Sequence, residues 1–147
     1  MTSDTPPPVL SSLRVYTPFQ VRVAAFFGGP FAAIYTLHWN FRVLGKSHAQ
    51  RLTLYWGAAF TVTLIATLPF VPESLPRFVI PLAYAMIAEQ IAKSKQLTKE
   101  AILSSSIYQR HSGWNVTLVS LLSILAILAV VIPSMLALDY FGVLKLD

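Results

Sequence analysis

The feature that most constrains this chain is a run of twenty-five residues, Trp114 to Leu138, that contains no Asp, Glu, Lys or Arg. An α-helix rises about 1.5 Å per residue, and the hydrocarbon core of a bilayer is about 30 Å thick. A helical run of this length is therefore long enough to cross a membrane. We expect it to do so.

The overall composition also favours a membrane protein. Hydrophobic residues make up 55% of the 147 residues and charged residues 12%, whereas soluble domains average roughly 45–50% and 25%. The absence of cysteine excludes disulfides and thiolate metal ligands. The basic residues are scattered singly between apolar runs, without the stripe typical of nucleic-acid readers. We therefore expect a lipid bilayer as partner and no nucleic acid.

Capping signals predict where the first two long helices begin. Thr17, Pro18 and Gln20 form a capping-box pattern with proline at the first helical position. Residues 1–17 are then predicted to be a flexible polar tail, and residues 18–147 a single transmembrane helical domain. Ser47 and Gln50 repeat the cap for the second helix. The predicted spans are residues 19–44, 50–71, 76–92 and 114–138, with a cytoplasmic surface segment at 93–113.

The third span is the least apolar, since Arg77 and Glu89 bracket its uncharged centre, and hydropathy alone also allows an interfacial segment. Charge asymmetry favours four spans, because positive residues are retained in cytoplasmic loops. With four spans, most basic residues fall on one side, where we expect contacts with anionic lipid headgroups. These predicted headgroup contacts are Arg42, Lys46, Arg51, Lys93, Lys95, Lys99 and Arg110. Arg14, Arg22, Arg77 and Lys145 are predicted to lie on the opposite side.

The predicted fold is therefore an all-α integral membrane four-helix bundle with both termini on the outer, periplasmic side. The three tryptophans, Trp39, Trp56 and Trp114, all fall near the proposed cytoplasmic interface. Indole rings favour that boundary because they are half apolar and half polar. Their positions support the topology independently of the charges.

Glu89 is the candidate ion or proton site, since an ionisable group within a span suggests a function. The structural alternative is that its carboxylate reaches the headgroups or pairs with Lys93 one turn later. We favour that alternative. Arg22, at the outer end of the first span, is expected to extend to the surface and to be too distant in depth to pair with Glu89.

Gly28, Gly29 and Pro30 interrupt the first span. Proline removes a backbone hydrogen bond, so a kink is expected there. Small residues around it form stripes along the helix, Ala25–Gly29–Ala33 and Ala24–Gly28–Ala32, that allow close helix packing. We interpret this segment as a packing surface, with a hinge as the alternative.

No catalytic residue, cofactor site or metal site is predicted. His38, His48 and His111 all fall on the proposed cytoplasmic side, but no pair has the i,i+4 spacing of a helical metal site. We therefore interpret them as interfacial histidines.

The stretch from Tyr16 to Lys46, YTPFQVRVAAFFGGPFAAIYTLHWNFRVLGK, resembles the opening of uncharacterised small four-helix inner-membrane proteins of bacteria. This resemblance covers about a fifth of the chain. It implies a bacterial inner membrane and a compact helical unit, and it implies no activity.

Two functions remain as hypotheses. The first is a non-enzymatic accessory or interaction role, either as a subunit of a membrane complex or as an immunity-type protein acting within the membrane. The second is an oligomeric small transporter or channel that uses Glu89 as its ion site. This chain resembles the small multidrug transporters only in size and number of spans. Those proteins carry their essential carboxylate in the first span, where this chain has none. An integral-membrane enzyme ranks third, because no catalytic constellation can be assembled.

Overall fold

A computed structural model describes residues 13–67, 70–72 and 74–140 of the chain. The described chain is largely helical, which confirms the all-α prediction. Its elements are β1 (Leu13–Val15), α1 (Pro18–Val43), α2 (Ser47–Thr67), α3 (Val79–Lys95), α4 (Lys99–Leu103), β2 (Tyr108–Arg110) and α5 (Gly113–Tyr140). The four long helices begin and end within a few residues of the predicted spans. Residues 1–12 of the predicted tail and the predicted outer C-terminus lie outside the described residues.

The predicted cap at the start of α1 is confirmed. The Thr17 hydroxyl accepts a hydrogen bond from the Gln20 backbone N–H at 3.2 Å, and the Gln20 side chain accepts one from the Thr17 N–H at 3.0 Å. Pro18 occupies the first turn, where its missing N–H costs nothing. The chain turns after α1 at Gly45, whose φ of 68° favours glycine.

The helix α1 reverses direction in its middle. Gly29 has φ 72° and ψ −166°, a combination that essentially only glycine adopts. Beyond it, the Asn40 Oδ1 atom accepts a hydrogen bond of 2.8 Å from the Tyr16 backbone N–H. In a straight helix these two residues would be more than about 30 Å apart. The two halves of α1 therefore lie side by side as a helical hairpin with Gly29 at its tip.

This reversal makes the prediction of one span over residues 19–44 wrong. The halves, residues 18–28 and 30–43, are about 16 Å and 21 Å long at helical rise, so neither alone equals the thickness of a hydrocarbon core. The predicted kink at Gly28–Gly29–Pro30 is present, but it is a reversal rather than a bend. Both ends of α1 therefore lie at the same end of the molecule.

The short strands β1 and β2 pair in parallel, with Leu13 opposite Tyr108 and Arg14 opposite Gln109. The His111 backbone N–H extends this contact by donating to the Val15 carbonyl at 2.9 Å. Residues 13–17 are thus part of the folded unit, not of a flexible tail. The expectation that Arg14 lies on the side opposite the 93–113 segment is also wrong, because the two segments are hydrogen-bonded to each other.

The hairpin of α1 is the centre of the fold, and α3, α5 and α2 each pack against it. Small side chains make up much of its contact surface and let backbones approach closely. The fully buried alanines are Ala24, Ala25 and Ala32 of α1 and Ala85 and Ala92 of α3. Gly28 and Gly29 are buried as well, so both glycines lie within the packed part of the hairpin.

The molecule has two distinct ends. One end, which we call the basic end, is formed by β1, β2, α4, the α1–α2 turn and the connections around them. The far end is the α2–α3 connection, residues 70–72 and 74–78. At the basic end, the Lys46 Nζ atom donates to the Lys95 carbonyl at 2.6 Å. Of the basic residues that the structure describes, only Arg77 belongs to the far end.

Among the helices in the described ranges, α5 alone is long and apolar enough to cross a membrane by length and composition. Its segment Gly113–Val130 has a mean hydropathy of 2.1, and 22% of that segment is buried within the chain. Most of this apolar helix therefore faces outward.

Candidate functional site

Glu89 lies in α3 where that helix packs against the first half of α1. It is 9% exposed, and both carboxylate oxygens contact a cation. Its Oε2 atom lies 3.0 Å from Arg22 Nη1, and its Oε1 atom lies 3.1 Å from Lys93 Nζ. The side chain that sequence analysis singled out is thus the centre of a three-residue ionic cluster.

The predicted i,i+4 pair between Glu89 and Lys93 is confirmed. The prediction that Arg22 is too far away in depth to pair with Glu89 is wrong. It assumed a straight first helix, whereas the reversal at Gly29 returns both ends of α1 to the basic end. The Arg22 guanidinium also lies 4.9 Å from the centre of the Phe19 ring, a cation–π contact that helps to hold it in place.

A cavity of about 300 Å³ lies beside this cluster and continues to α4. Its lining contains side chains of both charges, Lys93 and Lys99 as well as Glu89 and Glu100. No group of three or more His, Asp or Glu side chains positioned to hold a metal ion occurs in the ranges the structure describes. The cavity is accordingly a recess in which charged side chains lie beside Pro18 and Phe19, and its described lining holds no metal-ligand set.

A hydrogen-bonded polar network closes the base of the α1 hairpin. The Asn40 amide binds both backbone groups of Tyr16, and its Nδ2 atom also donates to Gln96 Oε1 at 2.8 Å. Gln96 then donates to the Leu37 carbonyl at 2.9 Å. The network joins residues before and within the hairpin to the end of α3, and so fixes their mutual positions.

Tyr16 connects this network to the start of α5. Its hydroxyl donates to Asn115 Oδ1, and its ring stacks on that of His111 with centroids 4.2 Å apart. Burial, followed by the influence of Tyr35, raises the pKa of the Tyr16 phenol. Burial, followed by the nearby positive charge of Arg14, lowers the pKa of His111. Both side chains are therefore held in their neutral forms at pH 7.

The sequence did not predict this network. Asn40 was the available signal, because an amide inside an apolar helical run needs hydrogen-bond partners. Gln96 and Tyr16, however, lie at segment ends where polar side chains are ordinary. Only the reversal of α1 brings them together.

The tip of the hairpin is tightly packed. A Cβ atom added to Gly28 would lie 2.7 Å from the Ser120 Cα atom of α5, and one added to Gly29 would lie 2.9 Å from Ile127 Cδ1. Together with the positive φ of Gly29, these contacts explain why two consecutive glycines occur here. Gly28, Gly29 and Pro30 therefore serve both packing and the reversal.

A second, larger cavity of about 660 Å³ lies between α2 and α3, with the second half of α1 as its floor. We call it the α2–α3 cleft. Its walls are almost entirely apolar. They include Ile34, Leu52, Phe60, Ile87 and Ile91. Lys46 and Lys95 line the cleft where it reaches the basic end.

The structure places all seven predicted headgroup residues at the basic end. Lys93 is already paired with Glu89, and Arg42 lies 6.0 Å from the Trp39 ring. Lys46 and Lys95 line the α2–α3 cleft. Arg51 lies in the first turns of α2, Lys99 begins α4, and Arg110 ends β2.

No protein-family model matches this chain, and neither a curated protein nor a solved structure matches it significantly.

Proposed function

We propose that this chain is a multi-pass protein of a bacterial inner membrane with a non-enzymatic accessory or interaction role. The observation that carries the proposal is the distribution of side chains on the helical bundle. Small residues predominate where its long helices pack together, most large apolar residues face outward, and basic residues gather at one end. A water-soluble bundle has the opposite arrangement along its sides.

The outward apolar surface extends beyond α5. The exposed fractions on α2 are 74% for Tyr55, 72% for Trp56 and 68% for Val62. On α5, Leu122 is 63% exposed. Phe27, near the hairpin tip, is 64% exposed. Such a belt around several helices suits contact with lipid chains.

The reversal of α1 changes the topology that we propose. Three helices, α2, α3 and α5, run between the basic end and the far end, whereas the α1 hairpin enters from the basic end and returns to it. By the positive-inside rule the basic end faces the cytoplasm. Residue 13 is then cytoplasmic, and α5 leads to the outer side. This arrangement replaces four crossings by three crossings and a re-entrant hairpin, whose buried backbone is acceptable because protein surrounds it.

The accessory role is favoured over transport by the state of Glu89. A coupling site for a cation needs a carboxylate that is open to its ion, but both oxygens of Glu89 contact basic side chains. The Arg22–Glu89 pair joins α1 to α3, which is a structural task. The transport alternative would require this cluster to open during each cycle.

The topology is tested by labelling single cysteines, which is straightforward because the chain has none of its own. Leu13→Cys and Gln109→Cys should react with a membrane-impermeant maleimide only after the cytoplasmic face is opened. Phe70→Cys, at the far end, should react in intact spheroplasts. Labelling of Leu13→Cys and Gln109→Cys from opposite sides would contradict the proposed arrangement.

The role is tested by combining flux measurements with purification. Reconstituted protein should show no ion flux above empty liposomes, and a membrane-protein partner should co-purify with it from its native membrane. A flux that Glu89→Gln abolishes, while Lys99→Gln leaves it intact, would favour the transport alternative instead.

A further inference from the structure

The α2–α3 cleft has the polarity of a site for an amphiphile. Its walls are apolar along most of their length, and its charged lining groups, Lys46 and Lys95, stand together at one end. The Thr53 hydroxyl, which also lines the cleft, donates to the Ala49 carbonyl at 2.8 Å and so presents little polarity of its own. The cleft thus offers an apolar groove with a cationic mouth.

The charge at the mouth is uncompensated by the lining. No acidic side chain is among the lining residues, and Glu89 and Glu100 line the other cavity. Lys46 uses one of its ammonium protons for the Lys95 carbonyl, and an ammonium group has three. Donors therefore remain for an anion.

The length of the groove matches one leaflet of a bilayer. From Ala49, near the mouth, to Phe60, near its inner end, α2 rises about 16 Å. Half of a hydrocarbon core measures about 15 Å. Because the mouth lies at the basic end, a lipid of the cytoplasmic leaflet would have its headgroup beside the two lysines and an acyl chain in the groove.

We propose that the α2–α3 cleft binds one anionic phospholipid, with an acyl chain against the apolar walls and the phosphate between Lys46 and Lys95. This inference rests on the proposed membrane location. A second copy of the chain suits the cleft less well, because a copy in the same orientation would bring its own basic end beside these lysines. Like charges there repel.

Native mass spectrometry of the full chain, delipidated in a neutral detergent, tests the proposal. Phosphatidylglycerol should bind more tightly than phosphatidylcholine with identical acyl chains. Lys46→Gln and Lys95→Gln should each lower the affinity for phosphatidylglycerol about fivefold, since one basic residue at an anionic surface contributes about 1 kcal/mol. Their affinity for phosphatidylcholine should change less, because choline offsets the charge of its phosphate.

Arg51→Gln is the matched control, because it removes the same charge at the basic end from a residue that does not line the cleft. It should change the affinity less than about twofold. A second pair tests the groove itself. Thr53→Phe should weaken binding of both lipids by filling the cleft, whereas Val62→Phe, on an exposed part of α2, should not.

Equal binding of the two lipids, or equal effects of Arg51→Gln and Lys46→Gln, would overturn the proposal. So would a stable dimer that Thr53→Phe converts to monomers, since a second copy would then occupy the cleft. Thermal unfolding of each variant verifies that it is folded. Cysteine labelling as proposed, without lipid selectivity, would refute the lipid site and leave the membrane topology intact.

Discussion

The Asn40 side chain pairs with the backbone of Tyr16 as a neighbouring strand would. Its Oδ1 atom accepts from the Tyr16 N–H, its Nδ2 atom donates to the Tyr16 carbonyl, and both distances are 2.8 Å. One amide thereby satisfies two buried backbone groups and joins the entrance of the α1 hairpin to its exit.

Replacing Asn40 should therefore destabilise the protein strongly. Asn40→Asp keeps the size of the side chain but removes the Nδ2 donor, so an oxygen would face the Tyr16 carbonyl and Gln96 Oε1. We expect the free energy of unfolding to decrease by about 2 to 4 kcal/mol, since each buried polar group left unpaired costs about 1 to 3 kcal/mol. Thermal unfolding in detergent measures it. Gln109→Glu, a similar change on an exposed strand residue, should have little effect, and equal effects of both variants would contradict the role of Asn40.

Gly29→Ala should be more disruptive than the same change at Gly45 or Gly113. The backbone conformation of Gly29 is strained for alanine, and the new Cβ would lie 2.9 Å from Ile127 Cδ1. We expect Gly29→Ala to lower the free energy of unfolding by about 2 to 4 kcal/mol. Gly45→Ala keeps a positive φ but has open space, so it should cost about 1 kcal/mol. Gly113→Ala, which has open space and no positive φ, should be neutral or stabilising. A different order of unfolding midpoints would contradict the hairpin geometry.

The Arg22–Glu89 contact should appear as a coupling energy between α1 and α3. We expect Glu89→Gln to destabilise the protein by about 1 to 2 kcal/mol, because it leaves two cations without their partner while Arg22 remains partly exposed to solvent. Arg22→Gln should cost less in the Glu89→Gln background than in the unmutated protein. A double-mutant cycle measures this difference, and strict additivity would show that the two residues do not interact.

Mild acid should weaken the contact between β1 and α5 through His111. Because its pKa in the folded protein is below the ordinary 6.5, the unfolded chain binds the proton more readily. The contribution of neutral His111 is complete above about pH 6.5 and falls as the pH decreases toward the folded pKa. Unfolding midpoints between about pH 5 and 8 should therefore decrease on acidification, and His111→Gln should flatten that dependence. His48→Gln, an exposed control, should leave the slope unchanged.

The local part of the fold follows from the sequence, and the long-range part does not. Thr17, Pro18 and Gln20 predict the start of α1 because capping depends on residues a few positions apart. The glycines at 28 and 29 predict an interruption for the same reason. Whether the chain then bends or reverses depends on partners far away, such as Asn40 for Tyr16 and Ser120 for Gly28. A hydropathy average includes both halves of α1, so it predicts a single span.

In the candidate site, too, the local contacts follow from the sequence and the long-range contacts do not. The pair between Glu89 and Lys93 is a matter of helical spacing and was predicted. Arg22 was placed on the wrong side because its depth was counted along a straight helix. The α2–α3 cleft had no sequence signal, since its lining comes from three helices, and its lysines are ordinary residues of the α1–α2 turn and of the end of α3.

The pairing of Leu13 with Tyr108 also constrains how the protein is made. The partner of the first strand is synthesised about ninety-five residues later, and α5, which packs on the hairpin tip, follows it. In the membrane location that we propose, each half of the hairpin is too short to be inserted as an independent membrane helix. Residues 13–43 therefore gain their full set of contacts only after α5 has been synthesised.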